Sequence, residues 1–428
     1  MFGAKHDNLM KLSKIGIPTP VTIPIDSSLQ LDFFSTNGLL EIVQATLKSQ
    51  ESPYTHVMDA LKKNGLRFPS KLESIYTDIY EQLQGQSTIG FVRSSASIED
   101  GDQLSFAGMF ESLPFRLDDI SSFKKAVLGV WLSSLRQPVI DYLVTTSNNH
   151  LLVELPSCMN LIVQPALNPV ASGVLFSCSS KSNPLAKVYA NRGLGELLNT
   201  FNFHQCEATE HNHGFSVDSI EFSRQALVFH SNNHANGNVI PTLFGQSLAV
   251  AQVRPYTYQI RLPKHCIFTP SINNTIRTEL YDTFRLILDL NNGLRDFELE
   301  WLFSNDTLYI VQMRKLTALD AESTLISGMQ PVVSGELDGQ IVSWQGARVC
   351  YKKKVIAVND LSYDLISALR ECGGILTVSG SPHSHAAIIC RELGVPVYKI
   401  SKEKFMAFSR GQYCIRNGQL INMELLHV

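Results

Sequence analysis

The sequence predicts a mixed α/β and α+β fold in two modules, a large one followed by a small one. Three observations carry this reading. Short apolar runs at 89–93, 161–164 and 173–177 alternate with segments of helical periodicity such as 273–290, so both the strand and the helix period occur in one chain. From Ala318 to Gln340 the periodicity weakens, and Gly328, Pro331, Ser334 and Gly335 gather there. A compact strand–helix–strand–helix pattern follows. With 428 residues there is enough chain for two or three sizeable cores.

The elements follow in order. Leu9, Leu12 and Ile15 sit at helical spacing and Gly16 stops that helix; Pro18 and Pro20 then lead into an extended run to about Ile25. A helical region continues to about Gln84. The strand at 89–93 gives way to a loop rich in Ser, Gly and Asp, and 161–164 and 173–177 read as buried strands. The polar stretch 207–245, rich in Asn and His, reads as loops with short strands. After the helix at 273–290, strands at 297–301 and 308–313 pair around Ser304-Asn305-Asp306. The first module spans 1–317, a linker or hinge 318–334, and the second module 335–428. Within the second, a strand at 355–358, a helix at 362–372, the pair Gly373-Gly374 and a strand at 375–378 precede a helix that opens at His385.

Hydrophobic content of 44% and charged content of 18% suit a soluble globular protein. A net charge of -3 offers no basic face, so neither nucleic acid nor an anionic membrane is expected as a partner. The first seven residues carry no apolar run of the signal-peptide kind, and no stretch is long and apolar enough to cross a bilayer. Eight cysteines without a C-x-x-C spacing argue against a zinc site and a disulfide framework, and a reducing cytoplasm is the simplest compartment.

Four segments carry chemistry. Val92-Arg93-Ser94-Ser95-Ala96-Ser97-Ile98-Glu99-Asp100, with Ser105-Phe106-Ala107-Gly108 beyond it, offers small residues that admit backbone N–H groups to a phosphate and an arginine fork to pair with it. An ordinary polar loop explains a lone Arg-Ser-Ser equally well. Gln164, Ser172-Gly173-Val174-Leu175-Phe176-Ser177 and Gly193-Leu194-Gly195-Glu196 form the second segment. The third is Glu298-Leu299-Glu300-Trp301 with Gln312-Met313-Arg314, a plain hairpin with polar residues on one face if taken alone. The fourth is Ser381-Pro382-His383-Ser384-His385 and the following Ala386 to Pro396, with Arg391-Glu392-Leu393-Gly394 inside it. There Ser384 is a plausible N-cap, and a histidine at a helix start would carry an attached anion favourably. A neutral imidazole is a competent nucleophile towards phosphorus. His211 and His213, flanking Asn212, read as loop residues.

The order and spelling of these segments resemble the pyruvate phosphate dikinase and phosphoenolpyruvate synthase family, over nearly the whole chain. Gly3-x-Lys5-x-x-Asn8-Leu9 is similar to that family's opening motif, and the fourth segment is similar to its swivelling phosphohistidine domain. The resemblance implies an ATP-grasp domain followed by a small swivelling β/α domain. It places Lys5, Arg93, Ser94, Ser95, Asp100, Gln164, Gly173, Glu196 and Arg314 at ATP, Glu300 and Gln312 at magnesium, and the phosphorylated histidine at His385. Trp131 and Arg136 fall near the family's nucleotide site by a looser match. Glu298 stands where the family has aspartate, and His383 where it has a small polar residue.

The reaction implied is capture of a phosphoryl or pyrophosphoryl group from ATP by the histidine, with AMP and phosphate released and a small-molecule acceptor phosphorylated. The family's pyruvate-binding barrel finds no counterpart in these segments. Three readings of the acceptor side follow: a compact kinase for an enolate, hydroxyl or amide, a subunit whose acceptor site lies on a partner protein, and a non-catalytic phosphohistidine carrier.

Overall fold

Helix Ala4–Lys14 opens the chain. It buries Leu9 and Leu12 and ends in a Schellman turn at Gly16, whose φ is 84°. There Ile17 N–H bonds the Leu12 carbonyl and Gly16 N–H that of Ser13. A computed structural model describes residues 2–100, 104, 106, 108–178, 185–195, 206–211, 214–220, 224–231, 237–267, 269–290, 296–315, 329–346, 349–380, 384–410, 413–416 and 419–422.

Four sheets organise the described residues. The first is antiparallel, in the order Ile23–Ile25, Met159–Pro165, Ile89–Ala96, Ser112–Arg116. Helix Ile120–Ser133 packs on its last two strands, started by Asp119, whose carboxylate accepts from Ser121 N–H at 2.9 Å. Phe33, Phe34, Phe115, Phe123 and Trp131 fill the core beneath and are wholly buried. The second sheet has six antiparallel strands in the order Thr307–Lys315, Phe297–Ser304, Ala171–Cys178, Leu185–Arg192, Cys206–His211, Gly214–Ser219. Helix Asn274–Leu290 lies on one face and buries Ile276, Leu280, Phe284 and Ile287 at helical spacing against Leu299 and Trp301. The third sheet runs Val239–Thr242, Gly245–Arg254, Thr257–Arg261, Gln225–Phe229.

The fourth sheet builds the small module. Its centre is parallel: Gly339–Ser343, Lys354–Asp360, Gly374–Ser379 and Val397–Lys399. Antiparallel strands Gln330–Val333 and Tyr413–Arg416 flank it, and Gln419–Asn422 pairs with the latter at the edge. Parallel strands need crossovers, and helix His385–Glu392 is one of them.

The mixed α/β class expected from the sequence is the one observed. Four local expectations need correction. The strand expected at 89–93 runs to Ala96, because Ser94, Ser95 and Ala96 still pair with Leu161, Asn160 and Met159. The stretch 207–245, expected as loops with short strands, is mostly strand among its described residues, with strands of four to six residues over much of 206–242. Residues 330–333, expected inside the connecting stretch, form a strand of the small module, while 316–328 lie outside the described residues. The helix expected at 362–372 is a 3-10 turn, Tyr363–Leu365, and a short helix, Ile366–Leu369. Among the described residues no helix is long and apolar enough to cross a membrane.

Two glycines of the motifs have packing reasons. A Cβ on Gly173 would stand 2.1 Å from the Tyr189 carbonyl oxygen and 2.8 Å from the Trp301 ring; one on Gly373 would stand 1.8 Å from the Asp338 carbonyl oxygen. A Cβ on Gly195 would meet nothing nearer than Ser172 Oγ at 3.4 Å. Gly173→Ala is therefore expected to destabilise by about 1–3 kcal/mol or more, while Gly195→Ala leaves the midpoint of thermal unfolding nearly unchanged.

Candidate active site

Arg93 points from the first sheet into the cleft between the first and second sheets. Its Nη1 donates to Gln164 Oε1 at 3.1 Å and to the Val311 carbonyl at 3.2 Å; Nη2 donates to Gln312 Oε1 at 3.3 Å and stands 3.9 Å from Glu300 Oε2. Gln164 is oriented in turn, donating to Thr22 Oγ1 at 2.9 Å. The Val311 carbonyl is available because pairing shifts register there: Glu300 faces Gln312, yet Trp301 faces Ile310, so Val311 is the extra residue of a bulge.

The second sheet supplies a row on one face. Alternation puts Glu298 and Glu300 on the same side, opposite Arg314 and Gln312. Arg314 grips the buried Glu298 with Nε at 2.9 Å and Nη2 at 2.5 Å from one carboxylate oxygen. Burial raises the Glu298 carboxyl, against the pull of Arg314. Burial opposes the charge of Arg314 too, but Glu298, with Glu300 and Glu392 behind it, holds the guanidinium above its ordinary value.

The first helix closes the near end. Lys5 Nζ donates to the Ser94 carbonyl at 2.9 Å and to Ser94 Oγ at 3.3 Å. Ser95 Oγ donates to the Phe2 carbonyl at 2.7 Å, and Asn8 Nδ2 reaches the Met313 carbonyl at 3.0 Å. Gly3, at φ 89°, packs so closely on Ser95 that a Cβ would sit 2.4 Å from its carbonyl oxygen. Ser94 and Ser95 thus fasten the helix to the strand from buried positions.

Arg93, Gln164, Glu300 and Gln312 meet at one cleft, Arg314 lies on the same face of the second sheet, and Lys5 stands against Ser94 of the Arg93 strand. Gly173 lies beneath Trp301, in the packing of the second sheet. Trp131 is a core residue stacked near Phe33, and Arg136 pairs with Glu111. Asp100 closes a 3-10 turn, Ser97–Asp100, and its side chain lies outside the described residues, as do Ser105, Ala107, Glu196, His213 and His383. His385 is the first residue of helix His385–Glu392. Ser384 caps that helix, its Oγ accepting from Ala387 N–H at 3.3 Å.

The small module is docked on the large one, a contact that motif reading missed. Tyr142 Oη donates to Glu392 Oε2 at 2.7 Å, and Arg370 Nη2 to Ser147 Oγ at 3.2 Å. Tyr363 is raised by burial and feels both Arg314 and Glu111. The only sequence signal was Glu392 itself, inside the Arg391-Glu392-Leu393-Gly394 motif.

Breaking the Glu298–Arg314 pair strands a buried carboxylate. Arg314→Met should cost about 3–5 kcal/mol, and Glu298→Leu combined with Arg314→Met should recover most of it. Chemical denaturation followed by the fluorescence of the buried Trp131 and Trp301 reads the difference.

Comparison with known proteins agrees with this arrangement. The family described as "Pyruvate phosphate dikinase, AMP/ATP-binding domain" matches residues 1–328, and "PEP-utilising enzyme, mobile domain" matches residues 351–403. A probable phosphoenolpyruvate synthase of Archaeoglobus fulgidus is 22% identical over 98% of this chain and 55% of its own length. The phosphoenolpyruvate synthase of Pyrococcus furiosus is 24% identical over 82% of this chain and 43% of its own. That of Pseudomonas aeruginosa is 24% identical over 91% and 51%. The chain spans about half the length of the curated relatives it matches. It belongs to the pyruvate phosphate dikinase AMP/ATP-binding domain family, and it carries the mobile domain of the PEP-utilising enzymes behind that domain.

Proposed function

We propose that this protein is a phosphotransferase that binds ATP in the cleft between its first two sheets and passes a phosphoryl group through His385 to a small-molecule acceptor, with AMP and phosphate released. The observation that carries the reading is the meeting of Arg93 with Glu300 and Gln312 at one cleft, with Arg314 on the same face and Lys5 against the Arg93 strand, in a protein whose docked small module opens a helix at His385. Three cations match a polyphosphate, and the planar forks of the arginines match it bidentately. Ser94, Ser95, Asp100, Gly173 and Glu196 stay in the reading as neighbours of the nucleotide on family grounds; for Ser94, Ser95 and Gly173 the structural roles given above are sufficient.

Glu300 and Gln312 fit magnesium by donor chemistry, being hard oxygen ligands on adjacent strands. The ion would neutralise charge on the phosphates and orient them. In the ligand-free geometry the Arg93 guanidinium bonds Gln312 and stands beside Glu300, so it offers its charge at the same spot. On this reading Arg93 turns from these side chains towards the nucleotide, and Gln164 keeps hold of its other edge. The cap at Ser384 orients the first turn of the helix, where the N–H groups favour a phosphoryl group on the residue that opens it.

The acceptor is a small molecule carrying an enolate, hydroxyl or amide. A second reading puts the acceptor site on a partner protein. A reducing cytoplasm suits both, since the six cysteines whose side chains are described are unbridged.

Nucleotide product analysis tests the proposal. Purified protein with magnesium and ATP should yield AMP, and His385→Ala should abolish it. ADP from both proteins would overturn the route through His385.

A further inference from the structure

The docked interface contains more order than a swinging module requires. Tyr142 is wholly buried on helix Gln137–Thr145, which packs against helix Ile366–Leu369 of the small module. One edge of its ring meets Phe106, with centroids 5.1 Å apart and planes at 70°. Phe106 belongs to the Ser-Phe-Ala-Gly segment that follows the Arg93 strand. It is itself buried, and its φ of 41° is a left-handed conformation that is a genuine outlier for a bulky residue. Strain of this kind persists only where the surroundings over-determine it. The other end of Tyr142, its hydroxyl, donates to Glu392 at 2.7 Å. Glu392 ends the helix that His385 begins, seven residues or about 10 Å away along the axis.

The charges beside this bond alternate across the interface. Arg391 stabilises the ionised form of Glu298, and Glu392 that of Arg314. The Arg391-Glu392 dipeptide therefore stands near enough to the Glu298–Arg314 pair for each of its charges to favour the opposite charge there.

We infer that Tyr142 is a positioning residue: through Phe106 on one side and Glu392 on the other it ties the segment that follows the Arg93 strand to the histidine helix, and so fixes where His385 stops above the nucleotide. The inference deepens the function proposed above, and its catalytic consequence rests on that reading. The docking contact does not. A neutral hydroxyl donating to a half-buried carboxylate is worth enough to shift a docking equilibrium about tenfold or more. A shift of one residue along the helix would move the histidine about 1.5 Å, which is enough to spoil an in-line attack.

The test uses the full chain and Tyr142→Phe, which keeps the ring on Phe106 and removes only the hydroxyl. Two measurements are made. The first is single-turnover labelling of His385 by radiolabelled ATP, with ATP affinity measured alongside. The second is amide hydrogen exchange across helices Gln137–Thr145, Ile366–Leu369 and His385–Glu392. The expected result is labelling slowed about tenfold at unchanged ATP affinity, with exchange in those helices faster by a similar factor and exchange in the first sheet unchanged. Glu392→Gln keeps an acceptor and should lose less than Tyr142→Phe, while the double variant should lose no more than Tyr142→Phe alone. Wild-type exchange and labelling in Tyr142→Phe, or full additivity of the two substitutions, overturns the inference. Should the wild type show no labelling at all, the function proposed above fails, and the exchange data alone decide the docking role. Should Tyr142→Phe loosen the first sheet as well, Glu392→Gln and Glu392→Ala replace it: graded loosening confined to the interface helices supports the inference, and none overturns it.

Discussion

One guanidinium spans the cleft on which everything else depends. Arg93 leaves the first sheet, keeps Gln164 of that sheet as one partner, and takes Val311 and Gln312 of the second sheet as the others. Each sheet has its own core, so their separation at the cleft is set by what bridges them. A lysine could not do this: its ammonium is a point charge on a flexible stem, while the planar fork presents donors to both walls at once. The bulge at Val311 is part of the same arrangement, since the extra residue stands outside the ladder and its carbonyl accepts from Arg93.

Much of this was legible where the cause is local. The hairpin turn could be read from Asn305 and Asp306, both left-handed here at φ 49° and 55°. The stop at Gly16 and the cap at Ser384 are equally local. The face shared by Glu298, Glu300, Gln312 and Arg314 follows from strand alternation once the turn is fixed. What could not be read depends on distant partners. Residues 206–219 look like loop because their exposed faces are polar; they are strands because Leu185–Arg192 offers an edge to pair with. Ser94 and Ser95 read as part of a phosphate loop, and the hold that the chain's opening residues, some ninety positions earlier, have on them could not be read.

The motif glycines show the same division. Gly173 and Gly373 are required because a neighbouring backbone passes too close for any side chain. Spelling alone cannot separate that reason from contact with a ligand. Glu392 is the converse case: its motif was visible, but its partner, Tyr142, lies 250 residues away on a helix with no motif at all.

The opening helix has a consequence for the life of the chain before it is finished. Its polar grip is on Ser94 and Ser95, yet Asn8 bonds Met313, and Leu12 belongs to the core built by 171–310. That helix therefore completes its packing only once residues some 300 positions later are in place. At about 5–20 residues per second, some 300 residues of synthesis keep that helix waiting for roughly 15–60 s. Through that interval Leu12 has no complete core to enter.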